Sequence, residues 1–318
     1  MPRPTNATTV QRPDLGALAY EYMLDAATRG FIGMSILPVF EVPEKTADYP
    51  VIPIESLIKD QDTRRGANGN YQRGDWKFET GTYNCEEFGW EEPVDDVEAA
   101  LYRRFFDAEE VSTEIAIDRI LRGHERRAAA LVFASADASV ATEWSTAASA
   151  DPRVNIEAGK TAMRAASGLL PNAVVMGYVP FRNALLTAKV MEALKYTNPI
   201  ELGGFEAQRR ILAQYFGVDQ VLVGGAQYDS AKKGQSFTLA DIWDDEYVAL
   251  VRISNGGNRL KEPVYGRTFL WMADAPQEVV VETYREEAIR SNIVRARQHV
   301  DEAVIFAGAK YVLGNITA

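Results

Sequence analysis

The sequence has little of what most catalytic and metal-binding sites are made from. Among 318 residues there is one cysteine, Cys85, so an intrachain disulfide cannot form and a cysteine-rich zinc site is excluded. The two histidines, His124 and His299, remove most catalytic triads, histidine metal sites and phosphohistidine chemistry. No window approaches the roughly 18 continuous apolar residues that cross a bilayer, and no membrane partner is expected. The opening MPRPTNATTVQRPD lacks the apolar segment of a secretory signal, so the expectation is a protein made and folded in a cytoplasm. Basic residues are outnumbered, 34 against 45 acidic, for a net charge of −11. A free-standing nucleic-acid binder draws much of its affinity from neutralised phosphates, and this balance opposes one. It does not oppose a protein that surrounds nucleic acid without gripping it.

What is present is globular: 47% hydrophobic and 25% charged, enough for one large domain or two ordinary ones. The first thirty or so residues read as an extended arm with at most one helix, LGALAYEYML, too poor in core to stand alone. FIGMSILPVFEVPEKTADYPVIPIESLIKD alternates apolar residues between prolines, as short edge strands do. RRGANGNYQRGD then gives a polar tip and WKFETGTYNCEEFGWEEPV a return strand, so residues 48–93 read as a long hairpin. Two strands alone are marginal in water, so the hairpin either packs on the domain's own sheet or, as the favoured reading, lies across a neighbouring subunit.

From Asp95 the period changes. In DAEEVSTEIAIDRILRGHERRAAALVF, residues Ile117, Ile120, Leu121, Ala128, Leu131 and Val132 make one stripe of a helix of about 25 residues. His124 lies on or beside the stripe, Arg119, Arg122, Glu125 and Arg126 are expected to face out, and Gly123 is a soft point. Residues 140–275 read as α/β. A helix runs from Asp151-Pro152 to Gly168, followed by strand AVVM, helix VPFRNALLTAKVMEALK, helix FEAQRRILAQYFG and strand QVLVGG. Strands follow in EYVALVRI and RTFLWM, and the C-terminal stretch reads as strand, turn, short strand and two further strands.

Three stretches invite a chemical reading. The junction AVVMGYVPFRNAL, a strand, a glycine and a helix with Pro180 in its first turn, is how many phosphate sites open; yet no polar group after Gly177 is spaced to hold an anion. VLVGGAQYDSAKKG pairs Gly224 with Gly225 but lacks the P-loop ending and the third dinucleotide glycine. WDDEY clusters carboxylates that, as consecutive residues, diverge into a solvated turn. No catalytic residue, cofactor or metal ligand is assigned. The basic tip, Arg64, Arg65 and Arg73 around Tyr71, suits an acidic patch on a neighbouring chain better than nucleic acid.

The order of arm, hairpin, long helix, α/β block and terminal strands resembles the major capsid proteins of tailed double-stranded DNA phages, with the Hong Kong 97-type fold. The likeness is also local. Trp144 followed by DPRVNIEAGKTAMRAASGLLPNAVVMGYVPFRNAL, then FEAQRRILAQYFGVDQVLVGGAQYDSA, TYNCEEFGWEEPVDD and YREEAIRSNIVRARQ, are similar to that family's successive runs, over roughly residues 30–316.

The resemblance implies an α+β Hong Kong 97-like capsid fold. Its parts are an N-terminal arm (1–33), an extended loop (48–93), an axial α/β domain (140–275) and a peripheral domain built from 34–47, 94–139 with the long spine helix, and 276–318. It implies hexamers and pentamers of the chain forming an icosahedral head shell around double-stranded DNA, assembled in the host cytoplasm and ending in the virion. The partners implied are a separate scaffolding protein, a portal and room for a decoration protein. Within it, Arg64, Arg65, Tyr71, Arg73 and Trp76 are the expected assembly contacts and Gly123 the expected hinge. The alternatives are a nanocompartment shell of the same fold, a phage minor or decoration protein, and an α/β enzyme binding a phosphorylated ligand near Gly224.

Overall fold

The computed structural model describes residues 10–24, 29–51, 53, 58–60, 62–65, 67, 69–71, 73–74, 79–195, 204–254, 262–272 and 278–317. In chain order the arm gives strand β1 (Val10–Gln11), helix α1 (Pro13–Leu24) and the one-turn helix α2 (Gly33–Ile36). Strands β2 (Val39–Val42), β3 (Thr46–Val51), β4 (Glu79–Asn84) and β5 (Glu86–Asp95) follow, then helices α3 (Asp96–Tyr102) and α4 (Ala108–Val132). After β6 (Ala138–Ser139) come α5 (Pro152–Ser167), β7 (Ala173–Gly177), α6 (Tyr178–Leu186), α7 (Ala188–Leu194), α8 (Phe205–Phe216) and β8 (Gln220–Gly224). The rest is strand: β9 (Gln227–Asp229), β10 (Leu239–Asp241), β11 (Val248–Val251), β12 (Gly266–Trp271), β13 (Val280–Glu286), β14 (Ser291–Val304) and β15 (Lys310–Gly314).

Two sheets organise the chain. The larger has the order β1-β13-β14-β12-β2, with β5 on the other side of β14. Strand β14 is its spine: fourteen residues long, it pairs with β13, then β12, on one side and with β5 along the other. The sequence pattern anticipates a short strand here; sharing one strand among three neighbours is a non-local fact. The smaller sheet has the order β6-β15-β11-β7-β8. Strands β7 and β8 run parallel and are joined through helices, while β15 returns from the C-terminal end to pair with β11.

The smaller sheet is buried on both faces. Val174, Met176, Val221 and Val223 point into one core with Trp144, Ile156, Phe181 and Phe216. Their neighbours Ala173, Val175 and Leu222 point into another, with Ile36, Leu37, Val132 and Trp243. That is the period-two alternation of a strand covered on both sides. The larger sheet rests on α1 and α4 through Leu15, Ala19, Ile117, Ile120, Val281 and Val294. The arm's helix therefore lies on its own subunit's long helix.

Caps match the local sequence. Asp151 accepts from the Val154 amide at 3.2 Å and Gly168 closes α5 at φ 71°, a left-handed position that suits glycine. Helix α4 is 25 residues long, and Asp107 accepts from the Glu109 amide at its start. VPFRNALLTAKVMEALK, expected as one helix, is two. Buried Thr187 adopts an extended backbone (φ −64°, ψ 139°), and its hydroxyl donates to the Ala184 carbonyl at 2.8 Å. A hydroxyl that returns to its own helix competes with continuation of that helix.

Candidate assembly surfaces

The hairpin is anchored at its base. Strands β3 and β4 pair antiparallel over 46–51 and 79–84, and Tyr83 stacks on Phe269 of β12 at 4.6 Å with Tyr49 at 5.2 Å. Just past the Thr46–Asn84 pair the two legs are still joined at Cys85, which is fully buried, its amide donating to the Lys45 carbonyl at 2.9 Å. Burial pushes the Cys85 thiol up to about 11, so it stays protonated at neutral pH and packs as a small apolar side chain.

At the tip, Arg65 donates to the Gly69 carbonyl at 2.6 Å and its guanidinium lies 4.8 Å from the Tyr71 ring centre. Arg65 and Tyr71 thus come together, with Tyr71 72% exposed. Arg64 and Arg73 are exposed and have no ion-pair partner among the described residues. Trp76 lies outside the described residues. Beyond the tip, β5 is paired on one side only among the described residues and carries Glu86, Glu87 and Glu91 exposed. Charge on an open edge guards it against unwanted strand pairing.

Gly123 sits in unbroken helix. A side chain there would meet only the Arg127 guanidinium, at 3.4 Å. It lines a groove of about 750 Å³ between α4 and the β9–β10 hairpin, with Ile115, Phe237 and Leu239.

The stretches that invited catalysis have packing explanations. A side chain on Gly224 would run into the Trp243 indole, and Gly225 donates to the Gly30 carbonyl at 3.1 Å. A Cβ on Gly30 would stand 2.8 Å from the Gly225 backbone, and Gly30 itself is at φ 85°. Gly224 therefore makes room for the indole, and Gly30 lets its backbone lie against that of Gly225. In WDDEY, Trp243 is fully buried and Asp245 half-buried, while Asp244 and Glu246 are exposed. A side chain on Gly177 would meet Asp245 Oδ1 at 2.7 Å, so this carboxylate stands at the start of α6, where a phosphate would have to enter.

Glu125, expected on the outer face, is buried. Its carboxylate accepts from the amides of Ile32 at 2.8 Å and Gly33 at 2.7 Å and from Trp243 Nε1 at 2.6 Å. Burial pushes its carboxyl up, against the pull of those donors. The signal was in the spacing: Glu125 is four residues after Leu121 and three before Ala128, on the apolar stripe itself. His124 is 2% exposed, with Nε2 at 3.2 Å from Thr268 Oγ1 and 3.6 Å from Glu302. Burial lowers it to about 4, so it is a neutral, packed histidine. Among the described residues no cluster of metal-ligating side chains forms and no helix is long and apolar enough to cross a membrane.

An anchored hairpin and large apolar side chains exposed on several faces (Phe105, Phe237, Val97 and Leu101 among them) describe a subunit meant to be covered by others. No family model matches the chain. It is 29% identical over 278 residues to the major capsid protein of Burkholderia phage BcepMu, covering 82% of this chain and 85% of that one. A phage-related protein from Bordetella bronchiseptica RB50 has a similar structure, with a TM-score of 0.69 at 20% identity and cover of 97% and 98%. The putative capsid protein of an E. coli CFT073 prophage gives 0.59 at 13% identity, with cover of 98% and 100%. The fold is the α+β fold of phage capsid proteins, and the resemblance to tailed-phage major capsid proteins extends from the sequence to the structure. The likeness supports a structural role in a capsid shell for this chain.

Proposed function

We propose that the chain forms the hexamers and pentamers of an icosahedral phage head that encloses double-stranded DNA, assembled in the host cytoplasm. The observation that carries this reading is the likeness to a phage major capsid protein over 82% of the chain. In this proposal residues 34–47, 94–139 and 276–318 form the peripheral domain and residues 140–275 the axial domain. Residues 1–33 are the arm, and 48–93 the extended loop that lies on a neighbour.

The tip residues Arg64, Arg65, Tyr71 and Arg73 make that contact, supported by their exposure and by a chain of net charge −11. Trp76 joins them on its position in the sequence. Gly123 is the hinge that fits one subunit to both ring sizes. A separate scaffolding protein directs closure, a portal occupies one vertex, and a decoration protein is accommodated outside. The negative surface repels DNA and lets it pack without sequence-specific grip.

Negative-stain microscopy of the protein expressed with the scaffolding protein tests the reading. Closed shells built from five- and six-membered rings are expected. Small monodisperse particles alone would overturn it, and shells filled with a copurifying enzyme in place of DNA would favour a nanocompartment.

A further inference from the structure

We infer that residues 95–107 form a self-complementary contact between two copies of the chain about a twofold axis; the inference rests on the shell reading above. Helix α3 buries none of its residues. Val97 is 67% exposed, Leu101 65% and Phe105 80%. The three recur every fourth residue, and Arg103 carries helical backbone past the end of α3 (φ −50°, ψ −22°), so they share one side. Tyr102 and Phe106 stack next to them with centroids 5.3 Å apart. So much large apolar surface on one short segment marks a contact site.

The charges say what covers it. Glu98 precedes the apolar centre at Leu101, and Arg103 and Arg104 follow it. All three are exposed, with no ion-pair partner among the described residues. The other acids of the segment are engaged inside the subunit. Asp96 binds Arg285 at 2.6 Å, Asp95 accepts from the Val97 amide at 2.8 Å, and Asp107 accepts from the Glu109 amide at 2.9 Å.

A segment with acid before and base after an apolar centre is complementary to its own reverse. Reversal is what a twofold axis imposes, since the same patch then meets itself. Leu101 lies on Leu101 of the partner subunit, Val97 faces Phe105 of the partner subunit, and Glu98 faces Arg104 of the partner subunit. The ion pair occurs twice by symmetry. An unrelated helix of one charge sign would match only one end of this pattern.

Cysteine trapping tests the axis. The native Cys85 is fully buried, so Leu101→Cys supplies the accessible thiol. Oxidised Leu101→Cys shells are expected to run as disulfide-linked dimers, and nothing larger, on a non-reducing gel. Charge exchange tests the pairing. Glu98→Arg and Arg104→Glu alone each place like charges together at two related points and are expected to lower shell yield by about tenfold. The double variant Glu98→Arg/Arg104→Glu restores the pair in reverse and recovers the yield. These positions are exposed, so the unassembled variants keep the wild-type melting curve, which separates assembly from folding. Normal shells that give no Leu101→Cys dimers and ignore both single reversals would overturn the twofold contact and leave the capsid reading intact. A wild-type chain that never forms shells would overturn the capsid reading itself.

Discussion

His124 sets a pH dependence that can be measured on the unassembled subunit. Its ring is enclosed by α4, β12 and β14, where the titratable and charged neighbours are Glu302, Arg127 and Glu125. Arg127 holds Glu302 through two 2.8 Å bonds, so the carboxylate that would favour a charged imidazole is already engaged. Loss of solvation dominates and brings the ring from 6.5 to about 4. A folded-state pKa below the unfolded one means the unfolded chain binds the proton more readily between the two values. Stability from this group is therefore complete above pH 6.5 and is lost as pH falls toward 4. A shift of that size corresponds to about 3 kcal/mol. Urea unfolding of the wild type and of His124→Gln, from pH 8 to pH 4, isolates it. The carboxylates and the approach to zero net charge act on both proteins, so they cancel in the difference. The wild type is expected to lose about 3 kcal/mol more than the variant over this range. Curves that stay parallel would refute a buried neutral histidine.

Two further substitutions probe the same helix. Glu125→Gln replaces one acceptor oxygen by an amide that confronts donors from Ile32, Gly33 and Trp243; a loss of about 2–4 kcal/mol in urea unfolding is expected, and a loss below about 1 kcal/mol would show the carboxylate to be dispensable. Gly123→Ala adds a methyl that meets only the Arg127 guanidinium and is expected to stabilise the subunit by about 0.5–1 kcal/mol through helix propensity. A lower melting temperature would mean that the helix is constrained at this point in a way the contacts do not explain.

The sequence was most legible where the cause of structure lies within a few residues. Asp151-Pro152 and Gly168 bracket α5 because a cap and a left-handed glycine are local devices. The apolar stripe of α4 gave its length, and the Arg65–Tyr71 pair at the tip lies within seven residues. What escaped depends on distant segments. Nothing near Gly30 announces Gly225, and nothing in the last residues says that β15 joins β11 while β14 joins the other sheet. The charge of Glu125 points to the outer face of α4, and its position does not. Its stripe position called for burial, and three donors from two other segments make that burial tolerable.

Glu125 also explains why the two sheets belong to one body. Ile32 and Gly33 introduce β2 of the larger sheet, whereas the Trp243 indole covers Gly224 at the end of β8 in the smaller one. A single carboxylate on α4 thus holds both. The strand-to-helix junction at Gly177 lies against the same loop, and there the acid is a burden. Asp245 is crowded by Asp241 and Asp244, and burial followed by those charges raises its carboxyl in spite of the Val179 amide. A raised folded-state value means stability is present below the ordinary value near 3.8 and declines as pH rises through the folded one. An incoming phosphate would add charge to three carboxylates, so the helix start repels the ligand its shape invites. Asp245→Asn keeps an acceptor for the amide and removes the repulsion. Because Asp245 is half-exposed, solvent screening limits the gain at pH 7 to about 0.5 kcal/mol or less, vanishing near pH 3.5. A loss of more than about 1 kcal/mol at pH 7 would show that the carboxylate stabilises α6 as a charged cap.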